Sequence, residues 1–292
     1  MKIVLGTAQF GLNYGVSNKD GKVGWENAKQ ILQYSYDHNV RMIDTATVYG
    51  NAEQVVGKSI DTGQDWKIIT KIPEATSNYI DTTHVAKLRK DYSESLLNLK
   101  KKRVYGLLLH SCDDLFKTNG NLLFEEMERF KYDGLVKKIG VSVYNKNQID
   151  RVLDNFQIDL IQLPINILDQ SLIYNESLSK LKKYNVEIHA RSVFLQGLLL
   201  MEKSLIPSYF RPIEKKLDAF YNLSKKLSLT NLELALGYVS NIDEIDKIVV
   251  GVAKLSQMQE IIKASLLQLE FEECRDIYID NSSYTNPSLW KI

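Results

Sequence analysis

Four side chains in the first part of the chain have the types and spacing needed for acid-base chemistry on a carbonyl group. Asp44 closes the apolar run Met42-Ile43-Asp44, and Tyr49 follows five positions later. Lys71 closes the run Ile68-Ile69-Thr70-Lys71, and His110 closes Gly106-Leu107-Leu108-Leu109-His110. A phenol can hand a proton to a developing alkoxide, but its ordinary pKa of about 10 makes it a poor acid-base group near neutrality. A neighbouring ammonium favours the tyrosinate, and that is the role expected of Lys71. Asp44 is expected to keep the lysine charged and in place, and His110 to hydrogen-bond the substrate oxygen and orient the carbonyl. Each residue alone has a plainer reading: a rim tyrosine that packs, an aspartate that caps a helix, a histidine satisfied at a strand end. Their shared position at the ends of consecutive apolar runs points instead to one site.

Such residues meet only if the runs are neighbouring strands. Eight short apolar runs occur, over residues 3–6, 42–44, 67–71, 105–110, 138–142, 160–163, 186–190 and 247–251. Continuous rather than alternating apolar character marks strands buried on both faces. Between the runs lie helical stripes, such as Ala28, Ile31, Leu32 and Tyr36 within 26–38, or Leu88, Tyr92, Leu96 and Leu99 within 85–99. Further helices are expected over 122–132, 147–155, 177–184 and 255–265. This alternation predicts a (β/α)8 TIM barrel, with residues 1–292 as a single domain. In such a barrel the catalytic groups collect at the C-terminal ends of the strands and in the loops that follow. Two stretches exceed a minimal barrel. Residues 197–238 read as a loop over 206–212 followed by helices over 213–227 and 231–239, and a tail runs on after Ser265 through 271–280 to 286–290.

The run Asp44-Thr45-Ala46-Thr47-Val48-Tyr49-Gly50-Asn51-Ala52-Glu53, with Val56-Gly57 after it, resembles the DTAxxYGxAExxxG signature of the aldo-keto reductases. Thr70-Lys71 resembles that family's lysine strand and Leu107–His110 its histidine strand. Gly140-Val141-Ser142-Val143-Tyr144-Asn145 is similar to its GVSN-type turn, with Tyr144 inserted before the Asn. The motifs stand in the family's order over nearly the whole chain. The resemblance implies hydride transfer between a nicotinamide dinucleotide and a carbonyl, with Tyr49 as general acid/base and Asp44, Lys71 and His110 around it. A barrel used as a nucleotide-sensing regulatory or binding subunit, with vestigial turnover, is the alternative on the same fold.

The resemblance also implies where the cofactor binds, since no G-x-G-x-x-G follows a strand. Ser142 and Gln162 are expected at the nicotinamide carboxamide, with Ser192, Phe194 and Gln196 in the segment after the seventh strand. Gly251 leads into a helix N-terminus suited to phosphate, and Lys254, Gln257 and Glu260 fall on the family's adenosine-phosphate segment. The expected cofactor is NADPH, with NADH the other option, because Gln257 stands where many members carry a clamping Arg. Val56-Gly57-Lys58-Ser59 imitates the end of a phosphate loop, but it lies inside a helical pattern and has Ala52 where such a loop needs its first glycine. No metal site is expected.

The substrate is expected to be a small-molecule carbonyl compound, an aldehyde, a ketone or a sugar. The run Arg191–Leu198 resembles a branch tied to nucleotide-sugar and surface-polysaccharide chemistry. Arg191 and the pair Tyr209-Phe210 are candidate contacts for a large polar substrate. A net charge of +1, with Lys100-Lys101-Lys102-Arg103 the basic stretch at a helix end, argues against nucleic acid or an anionic membrane as partner. The two cysteines, Cys112 and Cys274, fit no metal-ligand spacing and suit a reducing compartment. With no run of about 18 apolar residues and no signal-peptide pattern at the start, a cytoplasmic monomer or weak homo-oligomer is expected.

Overall fold

Strands buried on both faces need helices outside and side chains inside, and the chain provides both. The computed structural model describes residues 1–267 and 274–291. Eight parallel strands close into a barrel in sequence order: β1 (Ile3–Gly6), β2 (Met42–Asp44), β3 (Lys67–Ile72), β4 (Val104–Leu109), β5 (Val136–Ser142), β6 (Leu160–Pro164), β7 (Glu187–Arg191) and β8 (Lys247–Gly251). The longer helices are α1 (Trp25–Asp37), α2 (Ala52–Ser59), α3 (Thr82–Leu99), α4 (Asn121–Tyr132), α5 (Lys146–Asn155), α6 (Ser177–Lys183), α7 (Glu214–Lys226), α8 (Asn231–Ser240) and α9 (Leu255–Ala264). Among the described residues no helix is long and apolar enough to cross a membrane.

Alternate strand positions point to opposite sides. Leu5, Ile43, Ile68, Leu107 and Ile161 face out and join the main core beneath the helices. Val4, Met42, Ile69, Leu108 and Leu160 form a separate buried cluster inside the barrel. Two residues further along three of those strands the interior turns polar, with Asp44, Lys71 and Gln162. The apolar plug thus carries a polar layer at its C-terminal side. At the other end of the barrel Glu187 takes a hydrogen bond from the Tyr105 hydroxyl (2.7 Å), lies 2.7 Å from His189 Nε2 and pairs with Lys138. Burial opposes its charge, but those three partners outweigh burial and hold the carboxyl well below the usual carboxylate range.

Several boundaries differ from the sequence reading. The fourth strand ends at Leu109, so His110 is the first residue beyond it, with its N–H bonded to the Ile72 carbonyl at 2.9 Å. β3 continues one residue past Lys71, and β7 ends on Arg191. β5 begins at Val136, two residues earlier than expected, because Val136 pairs with Val104 of β4; further along it the long Lys138 stem carries the ammonium to Glu187 at the barrel end. α3 starts at Thr82, three residues early, because the Asp81 carboxylate accepts from the Thr83 and His84 amides. The imitation phosphate loop lies within α2.

The segment expected as a loop over 206–212 contains a 3-10 turn, Ser208–Ile213, and its aromatic pair has a structural task. Phe210 is fully buried with its ring centre 4.9 Å from that of Trp290, and the Tyr209 hydroxyl donates to the Ser283 carbonyl at 2.8 Å. These rings clamp the C-terminal tail, so they are not the substrate contacts expected of them. Residues 271–273 of that tail lie outside the described residues.

Candidate active site

Tyr49 is placed by backbone contact at two glycines. A Cβ on Gly11 would come within 1.6 Å of the Tyr49 carbonyl oxygen, and one on Gly50 within 2.6 Å of the Gly11 carbonyl oxygen. Gly50 also has φ +57°, in the left-handed region that glycine enters without strain. Any side chain at either position would push the tyrosine out of register. Nearby, Thr70 Oγ1 donates to buried Glu53 at 2.6 Å, tying α2 to the residue beside Lys71. Glu53 therefore belongs to the scaffold of the signature.

The Lys71 ammonium is buried, 2.6 Å from Asp44 Oδ2 and 3.0 Å from the Thr45 carbonyl oxygen. Gln162 donates its side-chain amide to the other Asp44 oxygen, Oδ1. Burial disfavours the charged lysine, but Asp44 and then Tyr49 outweigh it, and Lys71 is held above its ordinary pKa. Lys71 Nζ lies 5.1 Å from the Tyr49 ring centre, and the Tyr49 and His110 rings meet edge-on with centres 6.2 Å apart. Burial, then the charges of Lys71 and Arg191, push His110 down to about 4, so the imidazole is neutral at physiological pH. The group comprises a charged lysine, a neutral imidazole and a phenol between them, which suits proton transfer to a carbonyl oxygen.

These four side chains open into a cavity of about 790 Å³ that extends to the N-terminal end of α9. Of the residues expected to bind cofactor, Ser142, Gln162, Ser192, Phe194, Gln196, Gly251, Gln257 and Glu260 all line it. Gln162 is also engaged with Asp44, because that carboxylate has a second oxygen left over from Lys71. Gln257 turns back on its own helix, its Oε1 accepting from the Ala253 amide (2.7 Å) and the Lys254 amide (3.2 Å). Lys254 is the exception: it is not a lining residue, and its ammonium sits 2.9 Å from Asp20 Oδ2. Gln9, Tyr14, Asp20 and Asn286 line the cavity without having been singled out in the sequence. They lie in the loop after β1 and in the tail, where no periodicity or motif marks them. Arg191 faces the cavity with its guanidinium 4.4 Å from the Tyr144 ring centre, donating to the Val143 carbonyl at 3.2 Å.

The wall beyond Arg191 is conformationally unusual. Ser192, Leu195 and Gln196 have φ of +60°, +46° and +52°, a region that costs side-chain-bearing residues energy and recurs at functional sites. The Gln196 carbonyl accepts from the Val16 amide at 3.0 Å, and a Cβ on Gly197 would strike Ser17 Oγ at 1.8 Å, so this loop and the one after β1 are bolted together. Gln9 Oε1 is buried without a partner, against Gly251, where a Cβ would lie 2.5 Å from it. An orphaned acceptor, bare backbone at Gly251 and a volume in the range of ligand cavities fit an extended dinucleotide with hydrogen-bonding groups along its length.

Comparison with known proteins agrees with this architecture. The model of the Aldo/keto reductase family matches residues 2–279. An uncharacterized oxidoreductase, YqkF of Bacillus subtilis, is 23% identical over 283 residues, covering 90% of this chain and 89% of its own. The structure of the glycerol dehydrogenase AKR11B4 from Gluconobacter oxydans superposes with a TM-score of 0.74 at 24% identity, covering 98% of this chain and 92% of that one. The holo form of the aldo-keto reductase AKR11C1 from Bacillus halodurans gives 0.74 at 18% identity, with 99% and 94% covered.

Proposed function

Because the chain belongs to the aldo/keto reductase family and is an oxidoreductase of that type, we propose that it reduces a small polar carbonyl compound, an aldehyde, ketone or sugar, with Tyr49 as the proton donor. The observation that carries this reading is the Asp44–Lys71–Tyr49–His110 group at one end of the cavity. A bound nicotinamide dinucleotide supplies the hydride. Lys71, charged and fixed by Asp44, stands beside the phenol and stabilises negative charge as the proton leaves. His110, neutral, donates to the carbonyl oxygen and orients it. Ser142, Gln162, Ser192, Phe194, Gln196, Gly251 and the start of α9, which line the cavity, would hold the cofactor. Arg191 and Tyr144 at the mouth suit a polar substrate such as a sugar or nucleotide-sugar. Two free, buried cysteines, Cys112 and Cys274, suit a reducing compartment, in line with work in the cytoplasm.

The test is turnover of a panel of aldehydes, ketones and sugars with NADH and NADPH, followed as loss of the reduced nicotinamide absorbance, with Tyr49→Phe as control. Turnover that Tyr49→Phe abolishes supports the proposal. Tight dinucleotide binding without turnover of any carbonyl would replace it by the regulatory reading.

A further inference from the structure

At the end of the cavity remote from Tyr49 the charges run against a phosphate beyond those of the diphosphate bridge. The lining side chains there that carry charge are Asp20 and Glu260, both acidic. The other lining groups that carry charge, Asp44, Lys71 and Arg191, belong to the catalytic end and its mouth, where His110 is neutral. Lys254, the cation closest along the chain to Gln257, is turned to Asp20 at 2.9 Å. The amides of Ala253 and Lys254, which lead into α9 and offer an anion its natural partners, are taken by Gln257 Oε1. Lys19 and Lys22 flank Asp20 in sequence, but neither lines the cavity, and the Lys22 ammonium faces Asn51 Oδ1 at 3.4 Å.

Asp20 is also held where it is. Asn18 Oδ1 accepts from the Asp20 and Gly21 amides at 3.1 and 3.2 Å, while Asn18 Nδ2 donates to the Tyr14 and Gly21 carbonyls at 3.1 and 2.9 Å. The Val16 amide bonds Gln196 on one side of this knot, and the Val23 amide bonds the Gln9 carbonyl (2.8 Å) on the other. An ion pair as exposed as Asp20–Lys254, with each side chain 55% accessible, adds little to stability. Its consequence is where it leaves charge: a carboxylate at the cavity edge, with the Lys254 ammonium drawn to it and away from the cavity lining.

We infer that Asp20 is a cofactor-selecting residue that, with Gln257, turns this cavity toward NADH and against NADPH. The inference rests on the dinucleotide reading above. With the nicotinamide at Tyr49, the adenosine end of an extended dinucleotide reaches the Asp20–Gln257–Glu260 end. There an adenosine with free ribose hydroxyls meets acceptors it can donate to, and a 2′-phosphate dianion meets two carboxylates.

The experiment is equilibrium binding of NADH and NADPH to the full-length protein, by quenching of intrinsic fluorescence and by calorimetry, for wild type, Asp20→Asn and Gln257→Arg. Wild type should bind NADH at least about tenfold more tightly than NADPH, since a charge-assisted contact is worth roughly one to two decades in affinity. The Asp20→Asn change keeps the shape, removes the charge and releases Lys254, so the NADPH-to-NADH affinity ratio should rise about tenfold. Gln257→Arg should raise it further by adding a planar donor. In wild type the discrimination should also shrink at high salt, as screening demands. Equal or tighter binding of NADPH by wild type, or a ratio that Asp20→Asn does not move, overturns the inference while leaving the dinucleotide reading intact. Failure of both dinucleotides to bind overturns the two together.

Discussion

Gln162 and Asp44 are 118 residues apart in the chain, yet inside the barrel the Gln162 amide donates to the Asp44 oxygen that Lys71 leaves over. The glutamine thus supports the ion pair from the opposite side of the barrel. Replacing it with the isosteric, non-donating Gln162→Met leaves a buried carboxylate oxygen without a partner, a loss of about 1–3 kcal/mol in unfolding free energy. If it positions Asp44 and Lys71 for proton transfer, kcat should fall more than KM for the carbonyl rises. A kcat equal to wild type in a folded Gln162→Met protein would reduce its role to structure.

Removing the proton donor should separate chemistry from binding. Tyr49→Phe deletes one hydroxyl and keeps the ring against His110, so fold and dinucleotide affinity should persist while turnover falls by at least about 10²-fold. Lys71→Met should lose turnover too, and it should also unfold more readily, because Asp44 is then buried without its cation. Breaking a buried pair costs roughly 3–5 kcal/mol. Near-native turnover by Tyr49→Phe on the best carbonyl would end the proposed chemistry.

The neutrality of His110 gives a pH signature. Its imidazole protonates near pH 4 in the folded protein rather than near 6.5, because burial, Lys71 and Arg191 oppose the charge. Between those values the unfolded chain takes up a proton that the folded one refuses, so stability falls as pH drops from 6.5 toward 4. Melting curves across that window should be steeper in pH for wild type than for His110→Asn. The pH profile of kcat/KM should show no inflection near 6.5 from this group, and one assigned to it by the same variant would refute the neutral imidazole.

Glu187 makes the opposite end of the barrel acid-sensitive. Its carboxyl titrates well below the ordinary 4.5, so the stability it contributes is present above that pH and is lost as pH falls below it. Glu187→Gln keeps the shape but leaves Lys138 without its counter-charge, and should destabilise the protein at pH 7 by up to about 3–5 kcal/mol. Because the site lies beyond the apolar plug, turnover per folded molecule should be little changed at temperatures where the variant stays folded. Denaturant titrations of both proteins at neutral and acid pH check this, with an unchanged midpoint counting against it.

The barrel was legible because local burial carries it. Strands such as β2 and β6, covered on both faces, leave unbroken apolar runs, and the helices between them leave stripes at helical period. Two starts come from partners that the apolar pattern does not show: β5 starts early because Val136 pairs with Val104 of β4, and α3 because Asp81 caps it. Tyr209 and Phe210, expected at the substrate, instead clamp the tail, a contact between segments more than 70 residues apart that no local pattern announces.

The signature around Tyr49 was determined by the sequence alone, down to its glycines. Gly50 must turn with positive φ and lie against Gly11, a requirement imposed on single residues and therefore visible in their types. Partnership was decided only by the tertiary structure. Asp44 has two oxygens, and closure of the barrel brings Lys71 to one and Gln162 to the other. Lys254, a cation that the sequence offers to a phosphate, is turned to Asp20 because the loop after β1 is knotted in place and ends beside it. Hydrogen bonds and ion pairs depend on where chain closure leaves two groups, and that distance is a property of the fold as a whole.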